Sequence, residues 1–388
     1  MGALPVGQPY FYPAIPVPMS LPAPPTPPAG PAAADQDAAL LRQLRPSRIV
    51  VPALIGLSVV AFLFWRSYKP GDLAPLRDAK WGWLLITLLV LWARDLGYIY
   101  RIRHITERAL SWRQSFGVIV VWEFASCVLP SAAGGTAAAP IILTREGIPL
   151  GKSLAYTLVT ALLDNLYYVL MVPLVVALAG AGLYPHGLQS AFVQTLRVLF
   201  VVSYVAVSAY AGLLLYALLV NPRAVRRLLV RLASVRGLRR FRRLAYRQGQ
   251  EMVNASYHLR GAGPLYWWRA CLSTAFVWTA RYAVIGCLIA AFVPMSTNTF
   301  LFIFARNITY KVVLLLAITP GGAGIAEGAF PTFFGRFIGT AAMTSFLVLL
   351  YRIVTYYFYL ALGVAYLPRW LARVFGPRPA AAGAPTAE

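Results

Sequence analysis

The chain has 388 residues, of which 59% are hydrophobic and 12% charged, about half the charge of a soluble domain. That composition excludes a soluble globular enzyme. The 35 Lys and Arg against 12 Asp and Glu give a formal charge of +23, but the cations cluster in loops beside apolar runs, which assigns them to membrane topology and anionic lipid and not to nucleic acid.

Residues 1–44 are rich in Pro and Ala and carry no helical period, so they read as a disordered or polyproline-like tail. No basic n-region precedes the tail and prolines interrupt any h-region, so it does not read as a signal peptide. Residues 376–388 read as a second such tail. Between them, residues 45–375 form the membrane domain, with apolar runs at Ile49–Trp65, Trp81–Tyr100, Ser153–Ala181, Val198–Val220, Tyr266–Val293 and Thr340–Tyr366. Each approaches or exceeds the roughly 20 residues of a spanning helix. None alternates as a membrane barrel strand does, and helices satisfy their own backbone groups in lipid. The predicted fold class is an all-α polytopic membrane protein.

Loop charge sets the predicted orientation. Arg42, Arg45 and Arg48 precede the first run, and Arg369, Arg373 and Arg378 follow the last. The loop at 221–263 carries eleven arginines against Glu251. These basic segments are expected on the cytoplasmic side of a cell inner membrane, which puts both termini there. The loops near Gly182–Gln194 and Pro294–Thr299 carry no Lys or Arg and are expected outside. Arg66–Lys80, also expected outside, fits less well with four basic residues against two acids. In the basic loop, Arg226, Arg227, Arg231, Arg239, Arg240, Arg242 and Arg243 interleave with leucines and Phe241. That pattern suits either an amphipathic helix lying on an anionic leaflet or a purely topological signal.

Two segments are too short to span. Gln114–Gly147 breaks at residues 130–135 and Thr299–Gly339 at residues 320–324, both glycine-rich. After the first break about nine apolar residues remain, roughly 13 Å of helix against a bilayer core near 30 Å. Each is predicted to be a re-entrant helical hairpin, which leaves six full spans. Trp81–Ala181 and Tyr266–Tyr366 are each 101 residues long and each reads span, hairpin, span. An odd number of crossings lies between them, so the two form a predicted inverted repeat, the arrangement of transporters with a midplane site.

Ten charges fall inside or at the rims of apolar runs: Asp164, Glu123, Glu327, Arg94, Asp95, Arg281, Arg306, Lys311, Arg336 and Arg352. At the bilayer centre an ionisable group costs at least about 2.5 kcal/mol on insertion scales, so each needs a partner or a wet cavity. Arg94 and Asp95 read as a rim pair and Arg336 as a snorkelling residue. The candidate substrate-binding residues are Asp164, Arg281, Arg306, Lys311, Glu327 and Arg352, with Gly134, Gly135, Gly321 and Gly322 at the breaks. The short helices after the breaks offer free N–H groups to an anion; packed kinks between helices are the other reading of the same glycines. Three cysteines, Cys127, Cys271 and Cys287, sit inside apolar segments and the three histidines are scattered, so no disulfide, metal or other cofactor is expected.

Thr319-Pro-Gly-Gly-Ala-Gly-Ile-Ala-Glu327, followed by an apolar run bearing Arg352, resembles the second signature of the lysylphosphatidylglycerol synthase transmembrane region, a flippase-like membrane family. Pro130 through Gly135, then Leu143-Thr-Arg-Glu-Gly147 and Asp164, resembles the first. Thr136 stands where the family usually has Glu, and Thr160 and Ala161 where it often has Glu-Arg. The aminoacyl-transferring domain of the full synthases has no counterpart in this sequence. The resemblance therefore implies the translocating half alone, moving a phospholipid or polyprenyl-linked headgroup between leaflets. Membrane lipids with anionic headgroups are the expected partners, with a lipid-modifying enzyme or a second copy of the chain as further ones. The alternatives are a polyprenyl-dependent glycosyltransferase, for which Asp72 and Asp78 are the only outward carboxylates, and a non-catalytic membrane partner of a lipid-modifying enzyme. No ATP-binding Gly-x-x-x-x-Gly-Lys-Ser/Thr motif is present.

Overall fold

The computed structural model describes residues 76–129, 134–179, 190–234, 242–315, 319 and 322–375, with isolated positions between 54 and 66. The two tails, most of the run at 49–65, the loop at 180–189 and Gly321 lie outside the described residues. Contacts divide the chain into Met1–Gln43 and Leu44–Glu388, and all that follows concerns the second unit.

Among the described residues every regular element is helical. The order is α1 (Trp81–Ile105), α2 (Trp112–Val128), α3 (Gly134–Arg145), α4 (Leu150–Ala179), α5 (Ser190–Leu215), α6 (Pro222–Leu232), α7 (Arg242–Gly261), α8 (Pro264–Ala290), α9 (Thr297–Leu315), α10 (Ile325–Ile338), α11 (Ala341–Arg352) and α12 (Phe358–Phe375). Local sequence starts several of them. Ser111 and Gln114 close a reciprocal cap on α2, Gln114 N–H donating to Ser111 Oγ at 3.2 Å and Ser111 N–H to Gln114 Oε1 at 3.0 Å. Thr340 caps α11 through the Met343 N–H at 3.2 Å. Pro222 and Pro264 occupy first turns, where no N–H is missed.

Five stretches are long and apolar enough to cross a membrane: Trp81–Ile105, Leu150–Ala177, Phe200–Val220, Pro264–Ala290 and Ala341–Val374. Their outer faces carry Trp81, Trp92, Leu170 and Leu213, all well over half exposed. A soluble protein rarely leaves so much contiguous apolar surface open, and lipid removes the cost. The chain is a helical multi-pass membrane protein. The last stretch runs further than the sequence suggests. Arg369 and Arg373, expected beyond the span, lie within α12, and Trp370 is buried. Trp370 Nε1 donates to Glu146 Oε1 at 2.7 Å, and Arg373 pairs with the same carboxylate. A wide π turn at Ile353–Tyr357 joins α11 to α12.

The two glycine-broken segments are pairs of short helices, α2 with α3 and α9 with α10, each pair packed together. Their ends are fixed by the most extensive helix pair, α1 against α8. Lys80 N–H donates to Ala291 O at 2.8 Å at one end, Arg281 reaches Tyr98 OH at 2.9 Å in the middle, and Tyr266 OH reaches Ile105 O at 3.0 Å at the other. The two helices therefore run antiparallel. The α2–α3 pair starts beside Ile105 and returns to the same end, where Tyr156 of α4 reaches Glu107 at 3.4 Å. The apolar cluster of Ile105, Leu110, Leu143, Ile148 and Trp370 fills that end. The α9–α10 pair starts and finishes at the opposite end, around Phe292, Ile303, Phe334, Ile338 and Met343. Gly147 and Gly339 turn the chain out of the two pairs at φ of +100° and +101°, a conformation costly for any residue with a Cβ.

The basic loop differs from the flat surface helix that its pattern allows. It folds as two helices, α6 and α7, and α7 packs onto the first turns of α4 through Met252 and Ala255 against Ala155. Arg239 and Arg240 lie outside the described residues, while Arg223, Arg227, Arg231, Arg242 and Arg243 are exposed.

Candidate functional site

The tips of both helix pairs meet the junction of α11 and α12. Tyr356, in the π turn, is buried and its OH donates to Cys127 O in the last turn of α2 at 3.4 Å. Between these tips, α1, α4 and α8 is a cavity of about 250 Å³. Asp164, Arg281, Lys311, Gly322 and Arg352, all picked from the sequence, line it together. Five cations face it: Arg94, Arg101, Arg281, Lys311 and Arg352; two carboxylates do, Glu123 and Asp164.

Most of these charges are partnered. Arg94, 2% exposed, donates from Nε to Asp95 Oδ1 at 3.0 Å and from Nη2 at 2.7 Å, and both residues meet the Tyr359 hydroxyl. The expected rim pair is thus a triad holding α1 to α12, with Arg94 and Tyr359 buried and Asp95 partly exposed. Neighbouring helical residues pair here because the long arginine side chain folds back, so the 100° between them is no bar. Asp164 is held by Arg101 and by Trp278 Nε1 at 2.7 Å, tying α4 to α1 and α8. Arg352 Nε lies 2.7 Å from Glu327 Oε1, and the other oxygen of Glu327 accepts the Gly324 N–H at 2.7 Å. That carboxylate, fully buried, closes the first turn of α10 and anchors the end of α11 at once.

Two charges in the cavity are less engaged. Glu123 has Arg281 Nη1 at 3.7 Å and, among the described residues, accepts no hydrogen bond. Lys311 has, among the described residues, no carboxylate within the 4.0 Å of an ion pair and no hydrogen bond.

Other residues picked from the sequence lie elsewhere. Arg306 is fully buried away from the cavity, donating to Phe333 O at 3.0 Å with its guanidinium 5.1 Å from the Phe337 ring centroid. The α9 helix turns Arg306 to one side and Lys311 to the other, so these two do not converge. Arg336 also lies over Phe337, at 4.9 Å. Gly135 is buried at the α2–α3 tip, where an added Cβ would collide with the Ser126 hydroxyl. Gly134 begins α3, and Gly321 lies outside the described residues. For Gly135, close packing between helices is the reading the geometry favours.

Sequence reasoning passed over Arg101, Tyr98, Trp122 and Trp278. Arg101 sits in Tyr100-Arg-Ile-Arg-His104, which resembles a loop flank. The signal was helix length: α1 continues to Ile105, so Arg101 turns inward with Arg94 and Tyr98, seven and three residues earlier. Tyr98 and Trp278 sit within ordinary apolar runs, and their tertiary contacts with Arg281 and Asp164 mark them.

Residues 49–363 match the family described as the lysylphosphatidylglycerol synthase TM region. A relative from Archaeoglobus fulgidus, named a UPF0104 membrane protein, is 23% identical over 330 residues, covering 82% of this chain and 96% of that one. The matched span takes in both helix pairs and every residue around the cavity, and the chain belongs to the lysylphosphatidylglycerol synthase transmembrane region family.

Proposed function

We propose that this protein moves a lipid with an anionic headgroup between the leaflets of a cell inner membrane. The observation that carries this reading is the cavity itself: a polar chamber within a shell of apolar helices, lined by five cations and two carboxylates, with Lys311 lacking a carboxylate partner among the described residues. A chamber with surplus positive charge in low dielectric rewards an anion and repels a cation. Apolar outer faces on the surrounding helices suit acyl chains that stay in lipid while the headgroup passes inside.

The architecture supports alternating access between two re-entrant pairs. The helix pairs begin at opposite ends of the antiparallel α1–α8 pair, as an inverted repeat requires. Corresponding features recur in the same order. Pro140 lies six residues into α3 and Pro331 six into α10, and a positive-φ glycine closes each pair. Glu123 and Lys311 are 188 residues apart, as are Asp164 and Arg352. In this reading the sixth span is the run at 49–65, α6–α7 is cytoplasmic, and both termini share that side.

The test is a leaflet-resolved assay in proteoliposomes holding the full chain. A labelled anionic phospholipid should reach the opposite leaflet faster than in protein-free vesicles, and faster than a labelled zwitterionic lipid. Equal rates with and without protein, in vesicles where the protein is folded and inserted, would sink the proposal.

A further inference from the structure

Charge balance and the engagement of the lining groups say more about the headgroup. Arg94 is matched by Asp95, Arg101 by Asp164, Arg352 by Glu327 and Arg281 by Glu123, which leaves Lys311 as the one cation of the cavity without a carboxylate among the described residues. A headgroup with a single negative charge neutralises that surplus. A zwitterion leaves the surplus in place, and a net-positive headgroup adds to it. Glu123 is the complementary feature, a carboxylate facing the cavity that, among the described residues, has no donor hydrogen-bonded to it and has Arg281 at 3.7 Å. Carboxylates accept only, so an occupant should bring O–H or N–H groups.

Trp122, next to Glu123 in sequence, also lines the cavity. Unlike Trp278, which stacks on Tyr167 at 6.3 Å and lies under Arg281, the Trp122 ring meets no aromatic ring or cation among the described residues. An unstacked indole beside a carboxylate is a platform for the C–H face of a sugar or cyclitol ring, whose positive edge meets the negative face of the π system. The hydroxyls then fall to Glu123 and to the Thr136 hydroxyl, which also lines the cavity.

We infer that the headgroup this cavity takes is a monoanionic phosphodiester bearing a hydroxyl-rich ring, its phosphate at Lys311 and its ring between Trp122 and Glu123. The inference rests on the translocation reading above and names the class of lipid moved. Glu123 and Trp122 belong to the first helix pair and Lys311 to the second, so such a headgroup bridges the two elements whose relative motion would open and close the cavity.

The experiment uses the full chain in nanodiscs of phosphatidylcholine, titrated by calorimetry with three short-chain probes. Phosphatidylinositol carries one negative charge and a polyol ring, phosphatidylmethanol the same charge and no hydroxyl, and phosphatidylethanolamine no net charge. Phosphatidylinositol should bind about tenfold tighter than phosphatidylmethanol, a difference of about 1.4 kcal/mol, with phosphatidylethanolamine weakest. Trp122→Ala should bring phosphatidylinositol to the level of phosphatidylmethanol, and Trp122→Phe should restore part of the gap. Equal affinity of the wild-type protein for the two anions overturns the ring inference and leaves the anion cavity standing. Binding of both anions no tighter than phosphatidylethanolamine overturns both. The wild-type comparison decides the matter even if the alanine variant does not fold.

Discussion

Arg352 and Glu327 stand 2.7 Å apart, both buried, and join the end of α11 to the first turn of α10. Removing one partner of a buried pair strands the other, at a cost of about 3–5 kcal/mol. Arg352→Ala and Glu327→Ala should each lower stability by that order in thermal unfolding of the purified protein. The double substitution should cost clearly less than the sum, since no charge is then left alone. Additive losses would mean that the two side chains do not depend on each other. Arg352→Lys should recover part of the stability only, because an ammonium lacks the rigid fork of a guanidinium.

At the tip of the first helix pair, Gly135 lies against Ser126, whose hydroxyl donates to Trp122 O at 3.0 Å. Gly135→Ala should destabilise the protein by about 1–3 kcal/mol through overpacking. Ser126→Ala removes the oxygen nearest the added Cβ and should restore much of the loss. Failure of the second substitution to relieve the first would put the strain elsewhere, for instance at the Trp122 ring, the next atom group in line.

Orientation is tested by single-cysteine labelling. Cys127 and Cys287 are buried and Cys271 is exposed, so the background needs Cys271 replaced before the buried pair matters. A cysteine at Thr297, where the second pair begins, should react with an impermeant reagent from outside. One at Ser234, after α6, should react only once the membrane is opened. Reaction of both from the same side would contradict the opposed-hairpin topology.

The fold was legible where physics acts locally. Apolar run length marks the spanning helices, because lipid demands roughly 20 residues whatever the neighbours do. The glycine breaks, described at residues 134–135 and 322–324, separate the paired helices for the same reason: the arms beside them are too short. The site was legible as a set of embedded charges but not as pairs. Arg306 and Lys311 look alike in sequence, and only the packing of α9 separates a guanidinium lying against Phe337 from an ammonium facing the cavity. Arg101 was hidden because a basic residue near a span end suits a rim as well as an interior, and the decision rests on Asp164, which lies 63 residues away on another helix. The docking of α7 on α4 depends on Met252 and Ala255 meeting Ala155, a surface match that an arginine count does not reveal.

Lys311 separates function from structure most sharply. It faces the cavity with no carboxylate within ion-pairing distance among the described residues, so the fold gains no ion pair from it. It does bear the cost of holding a charge away from bulk water. Lys311→Met keeps an unbranched side chain one atom shorter, removes the charge and should leave thermal stability unchanged or raised. The same variant should lose most anionic-lipid movement in proteoliposomes and most of the affinity for anionic probes. A structural lysine predicts the reverse, a less stable protein that still moves lipid when folded. Measuring unfolding and lipid movement on one preparation distinguishes the two. A stable Lys311→Met protein with wild-type transport would remove the anion from this site.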